Sequence, residues 1–253
     1  MTTAINYAKT VAALGWMRLF GTKGEFRELK QKTAMIVEGD LPEEVCDDLI
    51  EKIEGVLDVP AHPRVWRDQV GSDSRILGFE QDIGDLVEHF KIERRIKAVG
   101  DYLGRPVKSW FLMANRVVPV ENNLGSGGGL HRDSPFSHQV KCIWYLNDVN
   151  TENGPFEFVP GSHFNAMSAR DAYPLGEYRF DSVRQGDPLV EAHASAGAML
   201  VCDTKCIHSG KPIEKGVRYA VTLYTLPTED GAANIFRKSQ IDPSLAQRLT
   251  GRS

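Results

Sequence analysis

The sequence predicts a mostly β domain of the sandwich or jelly-roll type, braced by helices in its first part. Two observations carry this prediction. About eight short apolar or alternating segments follow residue 105, separated from one another by Gly, Pro or Asp. Before that point, two segments instead place apolar side chains at helical spacing. The change of period indicates helices first and strands afterwards.

The helices are located by their start signals and periodicity. In DLPEEVCDDLIEKIEGVL, Asp40 and Glu43 stand at capping-box spacing ahead of an apolar stripe with a period of about 3.6. A second helix is predicted over residues 82–99, and Gly104 with Pro106 ends the helical region. TAMIVEG (33–39) is a short strand candidate that precedes the first helix.

The strands follow as a series. VKSWFLMANRVVPV (107–120) is long and apolar, and QVKCIWYLNDV (139–149) alternates apolar and other side chains. Further short strands are predicted in PFEFVPGSH, DPLVEAH, GAMLVCD and KCIHSG, and GVRYAVTLYTL (216–226) closes the set. We expect a single domain with a basic segment (1–33), helical support (34–104), a β core (105–226) and a C-terminal extension (227–253).

Composition excludes some functions. With 253 residues, 42% hydrophobic side chains and a net charge of -4, the chain is typical of a globular protein and lacks the basic character of nucleic-acid binders. No run approaches the roughly 20 apolar residues that span a bilayer. Residues 1–33 hold six Lys/Arg against two acids. A helix packed on the domain is the favoured interpretation there, and peripheral contact with anionic lipid is the minor one.

Four cysteines (Cys46, Cys142, Cys202 and Cys206) form no CxxC pair and no disulfide-like framework. Free thiols in a reducing cytoplasm are therefore expected. The sequence does not define the oligomeric state.

The stretch GGLHRDSPF (128–136) contains a candidate metal site. His131 and Asp133 are two residues apart, and in a strand such residues project from the same face. His208, which follows a short apolar strand, is the candidate third ligand. Two imidazoles and one carboxylate suit non-haem Fe(II), whereas structural zinc usually takes four protein ligands, often thiolates.

Arg218 strengthens this hypothesis. It lies ten residues after His208 on the next predicted strand, where Val217 and Tyr219 point to the opposite layer. We therefore expect Arg218 to project into the barrel mouth. A buried guanidinium is costly without an anion, and arginine binds carboxylates through two hydrogen bonds. A dicarboxylate ligand would meet this requirement.

Taken together, HRD, NGPFEFVPGSH (153–163), DTKCIHSG and GVRYAVTLY resemble the Fe(II)/2-oxoglutarate oxygenases of the phytanoyl-CoA dioxygenase-like family, over roughly residues 105–226. The resemblance implies a double-stranded β-helix, a jelly-roll barrel with iron at its open end. It also implies that His131, Asp133 and His208 are the iron ligands and hence the catalytic residues. Arg218 would pair with the distal carboxylate of 2-oxoglutarate.

The same resemblance implies further contacts with the cosubstrate. Trp144 resembles an aromatic residue that lines its pocket, and Asn115 resembles an asparagine that contacts it. Ser209 is another candidate, although the family often has this hydroxyl one position later, where this chain has Gly210. Oxygen is the implied oxidant, and ascorbate is an implied reductant.

The implied reaction is hydroxylation, or another oxidation, of an unactivated C–H bond in a small molecule, with release of succinate and carbon dioxide. Related halogenases have a small residue in place of the carboxylate, and here Asp133 fills that position. Two alternatives stay open. A cupin-type metalloenzyme without 2-oxoglutarate leaves Arg218 unexplained, and a binding module would hold the ligands without turnover. The sequence carries no CoA signature and does not define the substrate.

Several polar residues near this site are interpreted structurally. Arg132 and Lys141 are expected on a solvated rim, and His163 is expected in a loop or on the rim. Asp203 is expected to fix a turn through hydrogen bonds of its side chain.

Overall fold

The structure is a computed structural model that describes residues 11–12, 15–125, 128–133, 140–165, 183 and 186–248. Residues 15–20 are helical. They precede five further α-helices: α1 (Leu29–Lys32), α2 (Glu43–Leu57), α3 (Ile92–Leu103), α4 (Ser162–Asn165) and α5 (Gly231–Lys238). The strands are β1 (Ala34–Val37), β2 (Val65–Arg67), β3 (Asp73–Leu77), β4 (Ser109–Val117), β5 (Val140–Tyr145), β6 (Phe156–Phe158), β7 (Val190–Ala192), β8 (Met199–Asp203), β9 (His208–Gly210), β10 (Arg218–Leu226) and β11 (Gln247–Arg248).

The strands form two antiparallel sheets. The large sheet has the order β1-β8-β5-β10-β4-β3-β2, with β11 paired to β4, and the small sheet has the order β7-β6-β9. Strands distant in sequence are neighbours in both sheets, as β5 lies between β8 and β10. This mostly β architecture with a jelly-roll core and supporting helices confirms the predicted fold class.

One face of the large sheet is covered by helices. Glu54 of α2 accepts hydrogen bonds from Arg116 of β4 and from the Tyr219 hydroxyl of β10, both at 2.6 Å. Because side chains alternate along a strand, Asn115 and Arg218 project from the other face, which is turned toward the small sheet. We call this second face the inner face. A cluster including Tyr145 fills part of the space between the sheets.

Some predicted boundaries are wrong. Helix α2 begins at Glu43 after Pro42 and has no side-chain cap, because the carboxylate of Asp40 instead accepts hydrogen bonds from Arg95 and Trp144. The predicted helix over 82–99 is divided into a 3-10 segment (Gly84–Phe90) and α3. Lys91, with φ of 50°, lies between them in the left-handed region, which interrupts helical hydrogen bonding.

Two general properties follow from the described part of the chain. All four cysteines are buried and none forms a disulfide. None of the helices in this part of the chain has the length and apolar character needed to cross a membrane.

Candidate metal centre

The three candidate ligands come together at one edge of the space between the sheets. His131 and His208 face each other in a β-bridge, in which each amide N–H donates to the other residue's carbonyl at 2.9 Å. The amide of Asp133 donates to the carbonyl of Thr204 at 2.8 Å. One potential ligand atom from each of the three residues lies within 4.8 Å of the others. Backbone hydrogen bonds therefore fix the separation of segments that lie 75 residues apart in sequence.

Both imidazoles are held in the orientation that a metal requires. Nδ1 of His131 lies 2.8 Å from the carbonyl oxygen of Gly129, and Nδ1 of His208 lies 3.0 Å from that of Cys206. A carbonyl only accepts, so each Nδ1 carries the proton and donates it. In the neutral imidazole, Nε2 is then the nitrogen that presents a lone pair to a cation.

The donor set fits a divalent metal ion. Nε2 of His131 lies 3.8 Å from Oδ1 of Asp133, and Nε2 of His208 lies 3.9 Å from Oδ2. These separations exceed a hydrogen bond, and a cation about 2 Å from each donor atom would span them. Two neutral imidazoles with one carboxylate are the ligands that non-haem Fe(II) takes.

Burial affects the protonation state of His208. His208 is 3% exposed, and desolvation lowers its pKa to about 3, against a usual value near 6.5. Its imidazole is therefore neutral and able to bind a metal at physiological pH. The adjacent Asp133 carboxylate opposes this shift without reversing it.

Lys141 of β5 is a residue of the site that sequence reasoning missed. Its ammonium lies 2.7 Å from Oδ2 of Asp133. Burial is the largest single effect and lowers the pKa of Lys141, but the charge of Asp133, its hydrogen bond with Lys141 and the nearby Tyr224 together outweigh burial and raise the pKa above its usual value. Lys141 is therefore a largely buried, charged partner of a ligand, with 11% of its side chain exposed, rather than a solvated rim residue. The alternation of β5 was the available signal, because Lys141 shares a face with Tyr145.

Arg218 lies on the inner face, as the sequence predicted. Its side chain is 5% exposed, and within the described ranges it makes no hydrogen bond and no salt bridge. Burial lowers the pKa of Arg218, while the nearby Tyr145 and Asp73 favour its charged form. A Cβ on Gly154 would lie 3.4 Å from Nη1, so glycine leaves room beside the guanidinium.

Asn115 also lies on the inner face. It pairs with Ala220 across β10, two positions beyond the pairing of Arg218 with Val117. Asn115 is 5% exposed, and its amide faces the same space as Arg218. This position is compatible with the expected contact to a shared ligand.

The position of Trp144 corrects an expectation. Its indole N–H donates to Asp40 at 2.8 Å, and its ring contacts Phe90 edge to face. Trp144 therefore lies in the core between the large sheet and the helices, on the face away from the metal ligands. The next residue, Tyr145, has the aromatic ring that faces inward, near Arg218.

Ser209 also points away from the candidate ligands. Its hydroxyl donates to the carboxylate of Glu157, the residue opposite it on β6. His208, the preceding residue, projects from the other face and stacks on Phe156. The hydroxyl of Ser209 is thus engaged by Glu157, and its contact with a cosubstrate stays a prediction that this geometry does not favour.

Arg132 lies between two ligands and points away from them. Its Nη1 donates to the carbonyl oxygens of Ser162 at 2.8 Å and Lys205 at 2.9 Å. His163 is fully buried beside it, and the ammonium of Lys205 donates to the carbonyl of His163 at 3.1 Å. Neither Arg132 nor His163 lies on a solvated rim. They belong to a buried polar support behind the site.

Asp203 belongs to the same support. Its carboxylate accepts from the amide of Lys205 at 3.1 Å, which confirms that it fixes the turn before His208. It also accepts from the hydroxyl of Tyr102 at 2.8 Å, a contact that ties the turn to α3.

This combination of a jelly-roll core with an inward His-Asp-His set and a buried arginine is that of the non-haem metal oxygenases. The family described as phytanoyl-CoA dioxygenase (PhyH) matches residues 33–215, more than half of the chain. The chain belongs to this family. No curated protein sequence matches it.

Solved structures share the fold at low sequence identity. The α-ketoglutarate-dependent carbocyclase SnoK of nogalamycin biosynthesis is 16% identical, with a TM-score of 0.57 over 89% of this chain and 92% of its own. The epimerase SnoN, in complex with Fe3+, α-ketoglutarate and nogalamycin RO, is 18% identical, with a TM-score of 0.60 over 85% of each chain. HygX from Streptomyces hygroscopicus, with nickel and 2-oxoglutarate, is 15% identical, with a TM-score of 0.56 over 81% of this chain and 86% of its own.

Proposed function

We propose that this protein is an Fe(II)/2-oxoglutarate-dependent dioxygenase that hydroxylates an unactivated C–H bond of a small molecule. The observation that carries the proposal is Arg218. A buried guanidinium without a hydrogen-bonding partner in the described part of the chain requires an anion, and Arg218 lies on the inner face, which is turned toward the small sheet that carries His208. A ligand that joins a metal-chelating end to a distal carboxylate fits this arrangement.

His131, Asp133 and His208 would hold the iron through two Nε2 atoms and one carboxylate. Iron and 2-oxoglutarate, when bound, would supply the oxidising power, with oxygen as the oxidant and succinate and carbon dioxide as the products from 2-oxoglutarate. Lys141 would hold the carboxylate of Asp133 in place beside the two imidazoles. The protein thereby sets the direction of the ligand and the charge of the site.

Three inner-face residues would bind the cosubstrate. Arg218 would bind the distal carboxylate through two charge-assisted hydrogen bonds. The hydroxyl of Tyr145 accepts the amide N–H of Phe156 at 3.0 Å, so its own proton is available for donation to the same carboxylate. Asn115 would complete the polar lining. Tyr145 takes the place that the sequence interpretation gave to Trp144.

Hydroxylation is preferred to halogenation because Asp133 fills the metal position that a halide would need. Within the same fold, SnoN is an epimerase and SnoK a carbocyclase, so product analysis has to accompany any assay. The SnoN structure holds nogalamycin RO, and a HygX structure holds hygromycin B. These ligands support a small-molecule substrate. Four buried thiols support a cytoplasmic location.

Succinate production tests the proposal. The full chain would be supplied with Fe(II), 2-oxoglutarate, oxygen and ascorbate, alone and with a panel of small molecules. We expect Fe(II)-dependent succinate that a substrate stimulates, with a product heavier by one oxygen atom. His208→Ala should abolish it, whereas the matched variant Ser209→Ala should retain it. Product without consumption of 2-oxoglutarate would favour the cupin alternative, and metal binding with no turnover would favour the binding module.

A further inference from the structure

Residues 15–20 present an apolar face to solvent. Trp16, Leu19 and Phe20 are 52%, 74% and 50% exposed. Their i, i+3, i+4 spacing places them together on one side of the helix. The ring centroids of Trp16 and Phe20 lie 4.3 Å apart. Three large apolar side chains clustered on the surface mark an interaction site, because isolated exposed residues would need no explanation.

The other side of this segment is attached to the body of the protein. Met17 is 2% exposed, and the indole N–H of Trp16 donates to the carbonyl of Gly104 at 2.7 Å. A Cβ on Gly21 would lie only 2.2 Å from the carbonyl oxygen of Tyr102, so the chain approaches α3 as closely as glycine allows. The exposed apolar face is therefore held in a fixed position.

The same N-terminal segment also carries exposed cations. The two acids of the segment are already paired, Glu25 with Arg94 and Arg95, and Glu28 with Lys32. Four exposed cations have no salt bridge to any residue that the structure describes: Arg18, Lys23, Arg27 and Lys30. We call these four cations together with Trp16, Leu19 and Phe20 the basic apolar surface.

We propose that the basic apolar surface binds an anionic membrane. Trp16, Leu19 and Phe20 would enter the headgroup boundary, where aromatic residues and leucine are favourable, and the cations would meet anionic headgroups. A second copy of the chain fits less well. A two-fold contact through this surface would place its four cations against the same four of the partner. This inference does not depend on the proposed reaction.

Co-sedimentation of the full chain with vesicles tests the proposal. We expect binding to phosphatidylcholine vesicles that contain phosphatidylserine, little binding to phosphatidylcholine alone, and release by high salt. The triple variant Trp16→Ser, Leu19→Ser, Phe20→Ser and the double variant Arg18→Glu, Lys23→Glu should each lower the partition coefficient at least about tenfold. The matched control is Val59→Ser, Val70→Ser, because these valines are 46% and 53% exposed outside the surface.

A second readout locates the contact. Brominated lipid should quench the fluorescence of Trp16 in the wild-type protein, and Trp16→Phe should remove most of that quenching. If the triple variant is unfolded by circular dichroism, Leu19→Ser alone replaces it, because Leu19 is the most exposed of the three. Failure to bind the anionic vesicles would overturn the proposal, as would unchanged binding in the folded variants. Dimerisation that the variants abolish, without vesicle binding, would assign the surface to a second copy and also overturn it.

Discussion

The ammonium of Lys141 lies 2.7 Å from Oδ2 of Asp133, so one candidate metal ligand is also paired with a protein cation. The same ammonium lies 5.0 Å from the centroid of the Tyr224 ring, which holds it on the inner face. The pair fixes the direction of the Asp133 carboxylate before a metal arrives. It also places a positive charge where a divalent cation must bind.

This pair predicts opposite effects on stability and on metal binding. Replacing Lys141 with Met should lower the free energy of unfolding of the metal-free protein by about 1–3 kcal/mol, because Asp133 loses its cationic partner. Metal should bind the variant more tightly, because the repelling charge is gone. Thermal unfolding with and without Co(II) measures both effects. Lys141→Arg keeps the charge and is the control, and a smaller metal-induced rise in melting temperature for Lys141→Met would contradict the prediction.

Burial of His208 predicts a pH dependence in the metal-free protein. The unfolded chain takes up a proton at this residue near pH 6.5, whereas the folded chain does so only near pH 3. The stability that His208 contributes is therefore complete above pH 6.5 and is lost as the pH falls toward 3. The loss is at most about 1.4 kcal/mol for each pH unit. Urea unfolding at several pH values should show a flatter profile for His208→Gln, and an unchanged slope would contradict the assignment.

Because Trp144 and Tyr145 lie on opposite faces of the sheet, we expect Trp144 to affect protein stability and Tyr145 to affect 2-oxoglutarate binding. Trp144→Phe should cost about 1–3 kcal/mol of stability, since Asp40 loses a buried hydrogen bond, and it should leave 2-oxoglutarate affinity unchanged. Tyr145→Phe should weaken 2-oxoglutarate binding about tenfold through the lost hydroxyl. Chemical unfolding and anaerobic titration separate the two. If Trp144→Phe weakened 2-oxoglutarate binding and Tyr145→Phe did not, Trp144 rather than Tyr145 would line the cosubstrate pocket.

The hydrogen bonds of Arg132 predict that it positions the ligands. Arg132→Met should destabilise the protein by about 3 kcal/mol, because the carbonyls of Ser162 and Lys205 lose a charged donor. Metal affinity should fall as well, since His131 and Asp133 flank this residue. Arg132→Lys should recover part of both losses. A variant that is less stable but binds Co(II) with wild-type affinity would limit Arg132 to a structural role.

Patterns local to the sequence predicted much of the site. The spacing of His131 and Asp133 and the parity of Arg218 on β10 follow from the alternation of side chains along strands, and the structure agrees with both placements. The fold class followed from the change in apolar period. Side-chain alternation and apolar period depend only on residues that are close in sequence, so a single sequence is enough to identify them.

Features that depend on distant partners were not predicted. Asp40 fits a helix cap by spacing, but Arg95 and Trp144 bind it from α3 and β5 instead. Lys141 resembles a surface lysine until Asp133 is placed beside it. The family resemblance predicted that Trp144 lines the cosubstrate pocket. Alternation of side chains along β5 instead directs Tyr145 toward that side of the sheet. Long-range contacts, rather than local propensity, decided each of these cases.

The most direct measurement is an anaerobic titration of metal-free protein with Fe(II) and 2-oxoglutarate, followed by visible absorption. We expect a weak charge-transfer band that requires both additions. We also expect 2-oxoglutarate affinity to be at least about thirtyfold lower in Arg218→Ala, with partial recovery in Arg218→Lys. Absence of the band at saturating 2-oxoglutarate, with iron shown to be bound, would contradict the proposed function, and so would an unchanged affinity in Arg218→Ala.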